Sequence, residues 1–354
     1  MTFAPGLLQI FWISFLAAGL ASYPIYKALL ALKSRQTVSQ YAPEGHQVKQ
    51  GTPTMGGIII IFGLLVGGFG IALLHYGDPG SRIPSYPLLS GFLLAASFAL
   101  IGFVDDFVVP RIWKDKRGLG WKQKIVLELV FSVVALLPSY GQASALIWIV
   151  TVFSILFFAN AYNFSDGLDG LAGTLLLTMS VGLLGVAAAG GLGVSIGLWS
   201  AALIGAVLPF LFYNAPPAKL FMGDVGSLGI GALLGFLGVQ AVGQAADLHW
   251  LGAEEIRFHD AVQSPWIIAF ALLIWSVVMI VSLVPVPLQI ASVKLFKKKI
   301  FLYTPIHHAF EKIGWKETRI VGFYALVQLL LSLLAISIVT FVSTSIAVSF
   351  GAVH

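Results

Sequence analysis

Apolar stretches of about 17–25 residues, the length a helix needs to cross a bilayer, recur from one end of the chain to the other. They fall at about 6–31, 56–75, 86–104, 122–138, 145–162, 171–190, 194–212, 226–243, 265–292 and 320–346. The pattern predicts an all-α integral membrane protein of about ten transmembrane helices, a single polytopic membrane domain over 1–354. The separation of the sixth stretch from the seventh rests on Gly190, Gly191 and Gly193. Pro285 and Pro287 lie inside the ninth, where proline breaks or bends a helix.

Composition sharpens the class. Charged residues make up 10% of the chain and hydrophobic ones 58%, against about 25% charged in a soluble domain, and the mean hydropathy is +0.94. All the Lys and Arg residues except Arg82 and Arg257 lie in or beside the odd-numbered connections. The positive-inside rule then puts those connections in the cytoplasm and both termini on the outer side. The net charge of +5 is that topology signal, aided by anionic lipid, and calls for no nucleic-acid partner. The stretch before Lys27 lacks a basic leader and is long enough to span, so it reads as the first helix rather than a cleaved signal. The absence of Cys excludes disulfides, thiolate-bound zinc and thiol catalysis.

Fifteen acids are few enough to place singly. Asp78, Asp247, Glu254, Glu255 and Asp260 fall in outer loops, Glu44, Asp115, Glu311 and Glu317 in cytoplasmic ones, and Glu128 near the start of the fourth helix. The other five sit in three motifs where an apolar helix meets the cytoplasm. These are Asp105 and Asp106 in Ile101-Gly-Phe-Val-Asp-Asp-Phe107, Asp166 and Asp169 in Asn160-Ala-Tyr-Asn-Phe-Ser-Asp-Gly-Leu-Asp-Gly170, and Asp224 in Phe221-Met-Gly-Asp-Val-Gly-Ser227.

An acid at bilayer depth costs at least about 2.5–3.5 kcal/mol and so faces a cavity or a partner. Adjacent carboxylates repel unless a cation or a proton relieves them. Gly167 and Gly170 predict a turn through Asp166 and Asp169, with an Asp capping the apolar run from Leu171. The glycines around Asp224 and Ser227 allow backbone N–H groups to approach an anion at the start of the eighth helix. After Ser227 they read better as helix packing through small residues.

The fourth element is Thr304-Pro-Ile-His-His-Ala-Phe-Glu-Lys-Ile-Gly-Trp315, approached by Lys294, Lys297, Lys298 and Lys299. Lys binds phosphate as a point charge, and His donates hydrogen bonds or a proton near neutral pH; the Lys run itself reads better as an anchor to the anionic leaflet. Carboxylates suit Mg²⁺ or Mn²⁺, hard cations that bridge to substrate phosphates. Together these features point to a metal-assisted phosphoryl site on the cytoplasmic face.

At these four motifs the sequence resembles the phospho-N-acetylmuramoyl-pentapeptide transferase family, within the polyprenyl-phosphate N-acetylhexosamine-1-phosphate transferases. The resemblance begins at Gly51-Thr-Pro-Thr-Met-Gly-Gly57 and continues through Asp105-Asp106, Lys122-Gln-Lys124, Asn163–Gly170, Asn214, Phe221–Ser227 and Pro305–Glu311. It implies a multi-pass enzyme of the bacterial cytoplasmic membrane. In the implied reaction, undecaprenyl phosphate attacks the β-phosphate of UDP-N-acetylmuramoyl-pentapeptide, giving UMP and lipid I for peptidoglycan synthesis. By the same resemblance Asp224 is the Mg²⁺ ligand, with Mn²⁺ an alternative, and Asp105 and Asp106 position or deprotonate the lipid phosphate. Gly167, Leu168, Asp169, Asn214, Phe221, Gln289 and His308 would line the nucleoside pocket. Lys49, Lys124, Asn163 and Asp166 would lie near the diphosphate or sugar, and Ser227 joins the substrate-binding set. His307 and His308 match the first two His of the family's Pro-Ile-His-His-His-Phe-Glu pattern, which makes His307 a candidate catalytic residue beside Asp105, Asp106 and Asp224. Ala309 replaces the third, and Thr304 stands where Ala is usual. A bent ninth helix would open a lipid-facing groove for the polyprenyl chain, and a homodimer is compatible with the family.

Three other readings compete. A transferase using UDP-N-acetylglucosamine shares the superfamily. An intramembrane prenyltransferase would need a further Asp near Asp105-Asp106. An ion-coupled transporter would carry ionisable groups near helix midplanes and a repeat, whereas these acids gather at one face.

Overall fold

A computed structural model of the chain describes residues 3–32, 51–75, 85–113, 116–140, 143–246 and 264–351. The described residues form helices and no strand. They run α1 (Phe3–Ala31), α2 (Gly57–His75), α3 (Ser85–Phe103), a π turn (Val104–Val108), α4 (Val109–Ile112), α5 (Trp121–Tyr140), α6 (Ala145–Ser165) and α7 (Leu171–Ala189). The order continues with α8 (Val194–Asn214), α9 (Gly223–Ala245), α10 (Pro265–Trp275), α11 (Val277–Leu283), α12 (Pro285–Phe296), α13 (Ile306–Lys312) and α14 (Glu317–Gly351). Among the described residues nine helical segments are long and apolar enough to cross a membrane, with Gly57–Leu73 and Pro265–Trp275 shorter.

The weakest expected boundary is real: α7 ends at Ala189 and α8 begins at Val194. Gly191 takes a positive φ there, and the Leu192 N–H returns to the Ala187 carbonyl at 2.9 Å. The ninth stretch is broken as its prolines predict, and twice: at Ser276, and at Val284 where Pro285 begins α12. Beside α10 and α11 lies an apolar cavity of about 750 Å³, walled by Phe153, Phe157, Val239, Trp266, Leu273 and Ile280.

The third helix departs from expectation. It does not stop at Val104; a π turn carries the chain through both acids and α4 follows. A π turn inserts one residue into a helix, which re-aims neighbouring side chains, and Asp105 and Asp106 accordingly find partners on different elements.

Helices α8 and α9 form the buried centre, while the outer faces of α1 and α14 show large apolar side chains such as Leu20 and Phe341. That exposure is the expected one for surfaces in lipid rather than water. Small residues let backbones approach closely. A Cβ on Gly102 would lie 2.2 Å from the Asp224 carbonyl group, and Gly226, Gly229 and Gly231 press on α2, α3 and α6. The start of α9 is thereby locked beside the end of α3, and that junction holds Asp105, Asp106 and Asp224.

Candidate active site

The acids converge at the end of the bundle where α3, α6 and α8 finish and α5, α7 and α9 begin. One ligand oxygen each from Asp105, Asp106 and Asp224 lies within 4.8 Å of the others. Asp105 Oδ1 accepts the Leu119 N–H at 2.6 Å, and its Oδ2 accepts from Lys124 Nζ at 3.1 Å. The same ammonium donates to Asp224 Oδ2 at 2.6 Å. Asn163 Nδ2 donates to Asp224 Oδ1 at 2.7 Å and to Ser227 Oγ at 2.8 Å. Lys124 thus stands between two carboxylates and relieves the repulsion that their closeness creates.

The start of α9 does bind anions, but they are the chain's own. Asp106 Oδ2 accepts the Asp224 N–H at 2.8 Å and the Val225 N–H at 3.4 Å, and Asp166 Oδ2 accepts the Gly223 N–H at 3.1 Å. Carboxylates at a helix N-terminus meet unpaired N–H groups and the positive end of the dipole. Burial pushes the Asp166 carboxyl well above the usual carboxylate range; the Gly223 N–H works against that shift, while the Asp224 and Asp169 charges add to it.

Asp166 to Gly170 form the expected turn, yet Asp169 does not cap α7. The capping position is Gly170, with a positive φ and no side-chain cap. Asp169 Oδ2 instead accepts the Ala218 N–H at 2.9 Å, and its own N–H donates to Glu317 Oε1 at 2.6 Å. The Gly170 N–H donates to Asn214 Oδ1 at 3.0 Å, and Asn214 Nδ2 reaches the Leu220 carbonyl at 2.9 Å. Leu168 is buried beside them.

The histidine segment meets this turn at Gly167. A Cβ there would lie 2.5 Å from His307 Nε2 and 3.3 Å from His308 Nε2, so only glycine admits the rings. His307 is buried, the two rings are 4.3 Å apart, and His308 Nδ1 pairs with Glu311.

Phe221 is half-buried, its N–H donating to the Pro53 carbonyl at 3.0 Å and its carbonyl accepting the Gly56 N–H at 2.7 Å. That pairing docks the Gly51–Gly57 motif onto the chain leading into α9. Gln289 bonds the backbone of Ile300 and Phe301 and so braces the segment after α12. Lys49 lies outside the described residues.

Two further groups belong to this arrangement. Glu128, one helical turn beyond Lys124 on α5, is fully buried, and its Oε2 accepts from Asn160 Nδ2 at 2.7 Å. Asn160 in turn sits one turn deeper than Asn163 on α6. The spacings Lys124/Glu128 and Asn160/Asn163 are those of helix neighbours, a signal present in the sequence but meaningful only once both helices are known to face each other. Glu317, read from sequence as a loop acid, opens α14 and grips the turn.

Three half-buried carboxylates with an amide beside them form an all-oxygen donor set that suits a hard metal ion. Lys124 already supplies positive charge at the point where Asp105 and Asp224 approach. The residues therefore fit a metal centre.

Comparison with known proteins bears on this geometry. Residues 88–242 match the family model described as Glycosyl transferase family 4. Residues 49–61 match the phospho-N-acetylmuramoyl-pentapeptide-transferase signature 1. Proteins named phospho-N-acetylmuramoyl-pentapeptide-transferase are similar over most of the chain. The one from Campylobacter lari is 33% identical over 86% of this chain and 86% of its own length. That from Shouchella clausii is 31% identical over 94% and 97%, and that from Caldicellulosiruptor bescii 32% over 92% and 95%.

Proposed function

The chain belongs to the phospho-N-acetylmuramoyl-pentapeptide-transferase family, and on that footing we propose that it moves phospho-N-acetylmuramoyl-pentapeptide from its UDP carrier to undecaprenyl phosphate. The products are lipid I and UMP, and the enzyme works as a multi-pass protein of the bacterial cytoplasmic membrane. Family membership sets aside the prenyltransferase and transporter readings. The observation that carries the chemistry is the cluster of Asp105, Asp106 and Asp224 around Lys124 at the polar end of the bundle.

Mg²⁺ would be held chiefly by Asp224 and, bound there, would offset the charge that develops on the UMP leaving group. The residues divide the remaining work. Lys124 balances the carboxylates and faces the phosphates as a point charge. Asn163 fixes the Asp224 carboxylate through a hydrogen bond, and Ser227 in turn holds the Asn163 amide. Asp106 is committed to the N–H groups that begin α9, which favours Asp105 as the carboxylate that orients the acceptor phosphate. The Gly167–Asp169 turn, Asn214, Phe221 and His308 hold the nucleoside, and His307 serves the sugar-phosphate. The cavity beside α10 and α11 is apolar enough for a polyprenyl chain; it lies mainly at the ends of α6 and α9 away from the carboxylates, and its near edge is Phe157 and Phe158, one to two turns from Asn163 on α6.

Purified protein in detergent, given undecaprenyl phosphate and either UDP-N-acetylmuramoyl-pentapeptide or UDP-N-acetylglucosamine, tests the donor assignment. Lipid I formed from the first donor alone is the expected result. Product from the glucosamine donor alone would move the protein to the neighbouring branch of the superfamily.

A further inference from the structure

We infer that Glu317 is a positioning residue for the donor nucleotide: its carboxylate fixes the Asp166–Gly170 turn from the start of α14. The inference rests on the reading of that turn as the nucleoside site.

The turn is tied down by four hydrogen bonds from other parts of the chain. Gly223 donates to Asp166, Asn214 accepts from Gly170, Ala218 donates to Asp169, and Glu317 accepts from the Asp169 N–H at 2.6 Å. The first three partners lie between the end of α8 and the start of α9. Glu317 alone among these four comes from the C-terminal part of the chain, which also carries His307 and His308. Its bond spans 148 residues. A short hydrogen bond from a backbone N–H to a carboxylate is of the charge-assisted kind, stronger than a neutral pair. Asp169 is nearly fully buried, so an N–H left there without an acceptor would be costly.

The position of Glu317 is set independently of the turn. Helix α14 is held deep in the membrane by Gln328, which donates to the Trp275 carbonyl at 3.0 Å, and by Ser332, which donates to the Thr178 carbonyl at 3.2 Å. Ser343 adds a bond to the Ala189 carbonyl at 3.0 Å. The helix therefore presents a fixed carboxylate to a short glycine-containing turn, and it is the turn that adapts. The same turn brings Gly167 against His307 and His308. Glu317 thus sets the register between the nucleoside side of the site and the histidine side without touching the reacting atoms.

Reach and charge separate in two variants. Glu317→Gln keeps an acceptor oxygen at the same distance and loses the charge. Glu317→Asp keeps the charge at the start of α14, where an acid favours the helix, but is one methylene too short. UMP binding to the full-length protein in detergent is measured by calorimetry, beside KM for each substrate and the thermal midpoint. Glu317→Asp is expected to bind UMP about tenfold more weakly, the loss of one charge-assisted hydrogen bond. Its donor KM should rise while the acceptor KM stays at the wild-type value and the midpoint falls by a few degrees, the cost of the unpaired Asp169 N–H; Glu317→Gln should keep affinity and both KM values within about threefold of wild type. Equal UMP affinity in Glu317→Asp and wild type overturns the inference. So does weakening in Glu317→Gln alone, or an equal loss in both variants, since neither follows from reach. A wild-type protein that binds no UMP refutes the nucleoside reading itself, and the inference with it.

Discussion

The carboxylate cluster and the Asp166–Gly170 turn share one end of the bundle but are fastened in different ways. In the cluster, side-chain charges balance one another: Lys124 stands between Asp105 and Asp224, and the three carboxylates have no sequence adjacency beyond Asp105-Asp106. In the turn, backbone N–H groups of Asp169 and Gly170 are held by the side chains of Glu317 and Asn214, while its own Asp169 carboxylate clasps the Ala218 N–H. In the first arrangement Lys124 is a side-chain cation shared by Asp105 and Asp224, whereas the second cannot change partners without reshaping the chain. A site for phosphoryl transfer needs both: a charge cluster that accepts a metal and phosphates, and a fixed frame that holds the part of the donor which does not react.

Substitutions at four positions break or sharpen this contrast. Asp224→Asn removes the carboxylate shared by Lys124 and Asn163, so transfer should fall by roughly 10³-fold, the several kcal/mol a metal contributes. Nucleotide affinity, read by calorimetry in the absence of metal, should change far less, because the turn is fastened elsewhere. Gly167→Ala attacks the frame instead. Its Cβ meets His307 Nε2 at 2.5 Å, so the turn and the histidine segment must part; transfer should drop about 10–100-fold, with the thermal midpoint lowered by a few degrees, as overpacking of about 1 kcal/mol predicts.

Asp166→Asn separates stability from chemistry. A carboxyl whose pKa rises on folding loses native-state stability as pH climbs from its unfolded value, about 3.9, toward the raised one. Asn carries no such loss and keeps an oxygen for the Gly223 N–H. The midpoint of Asp166→Asn relative to wild type should therefore increase as pH rises above about 4, while transfer falls. A pH-independent difference would contradict the burial of this group as a raised carboxyl. Glu128→Gln should do least: an amide oxygen still accepts from Asn160, so transfer should stay within about threefold of wild type, whereas Glu128→Leu leaves Asn160 without that acceptor and should cost about 1–3 kcal/mol in thermal unfolding.

The membrane helices were legible because lipid forces long apolar runs, and the gathering of the acids was legible because so few acids exist in the chain. Pro285 announced a break in the ninth helix, but the second break at Ser276 has no proline to mark it. The π turn through Asp105 and Asp106 was equally silent, since no residue type signals an inserted residue in a helix. Asp169 read as a cap from its place before Leu171, yet tertiary contact with Ala218 claimed its carboxylate. Glu317 read as a solvated loop acid because nothing local reveals a partner 148 residues away. Local chemistry was readable wherever both partners lay in one motif, and it was missed wherever the partner came from a distant helix.

The central claim is that the carboxylate cluster holds its metal chiefly through Asp224, and Mn²⁺ binding followed by electron paramagnetic resonance in the purified protein tests it most directly. The account predicts one tightly held Mn²⁺ per chain in the wild type, displaced by Mg²⁺ and lost in Asp224→Asn with the fold intact. Equal Mn²⁺ binding by wild type and Asp224→Asn would contradict it and place the metal elsewhere.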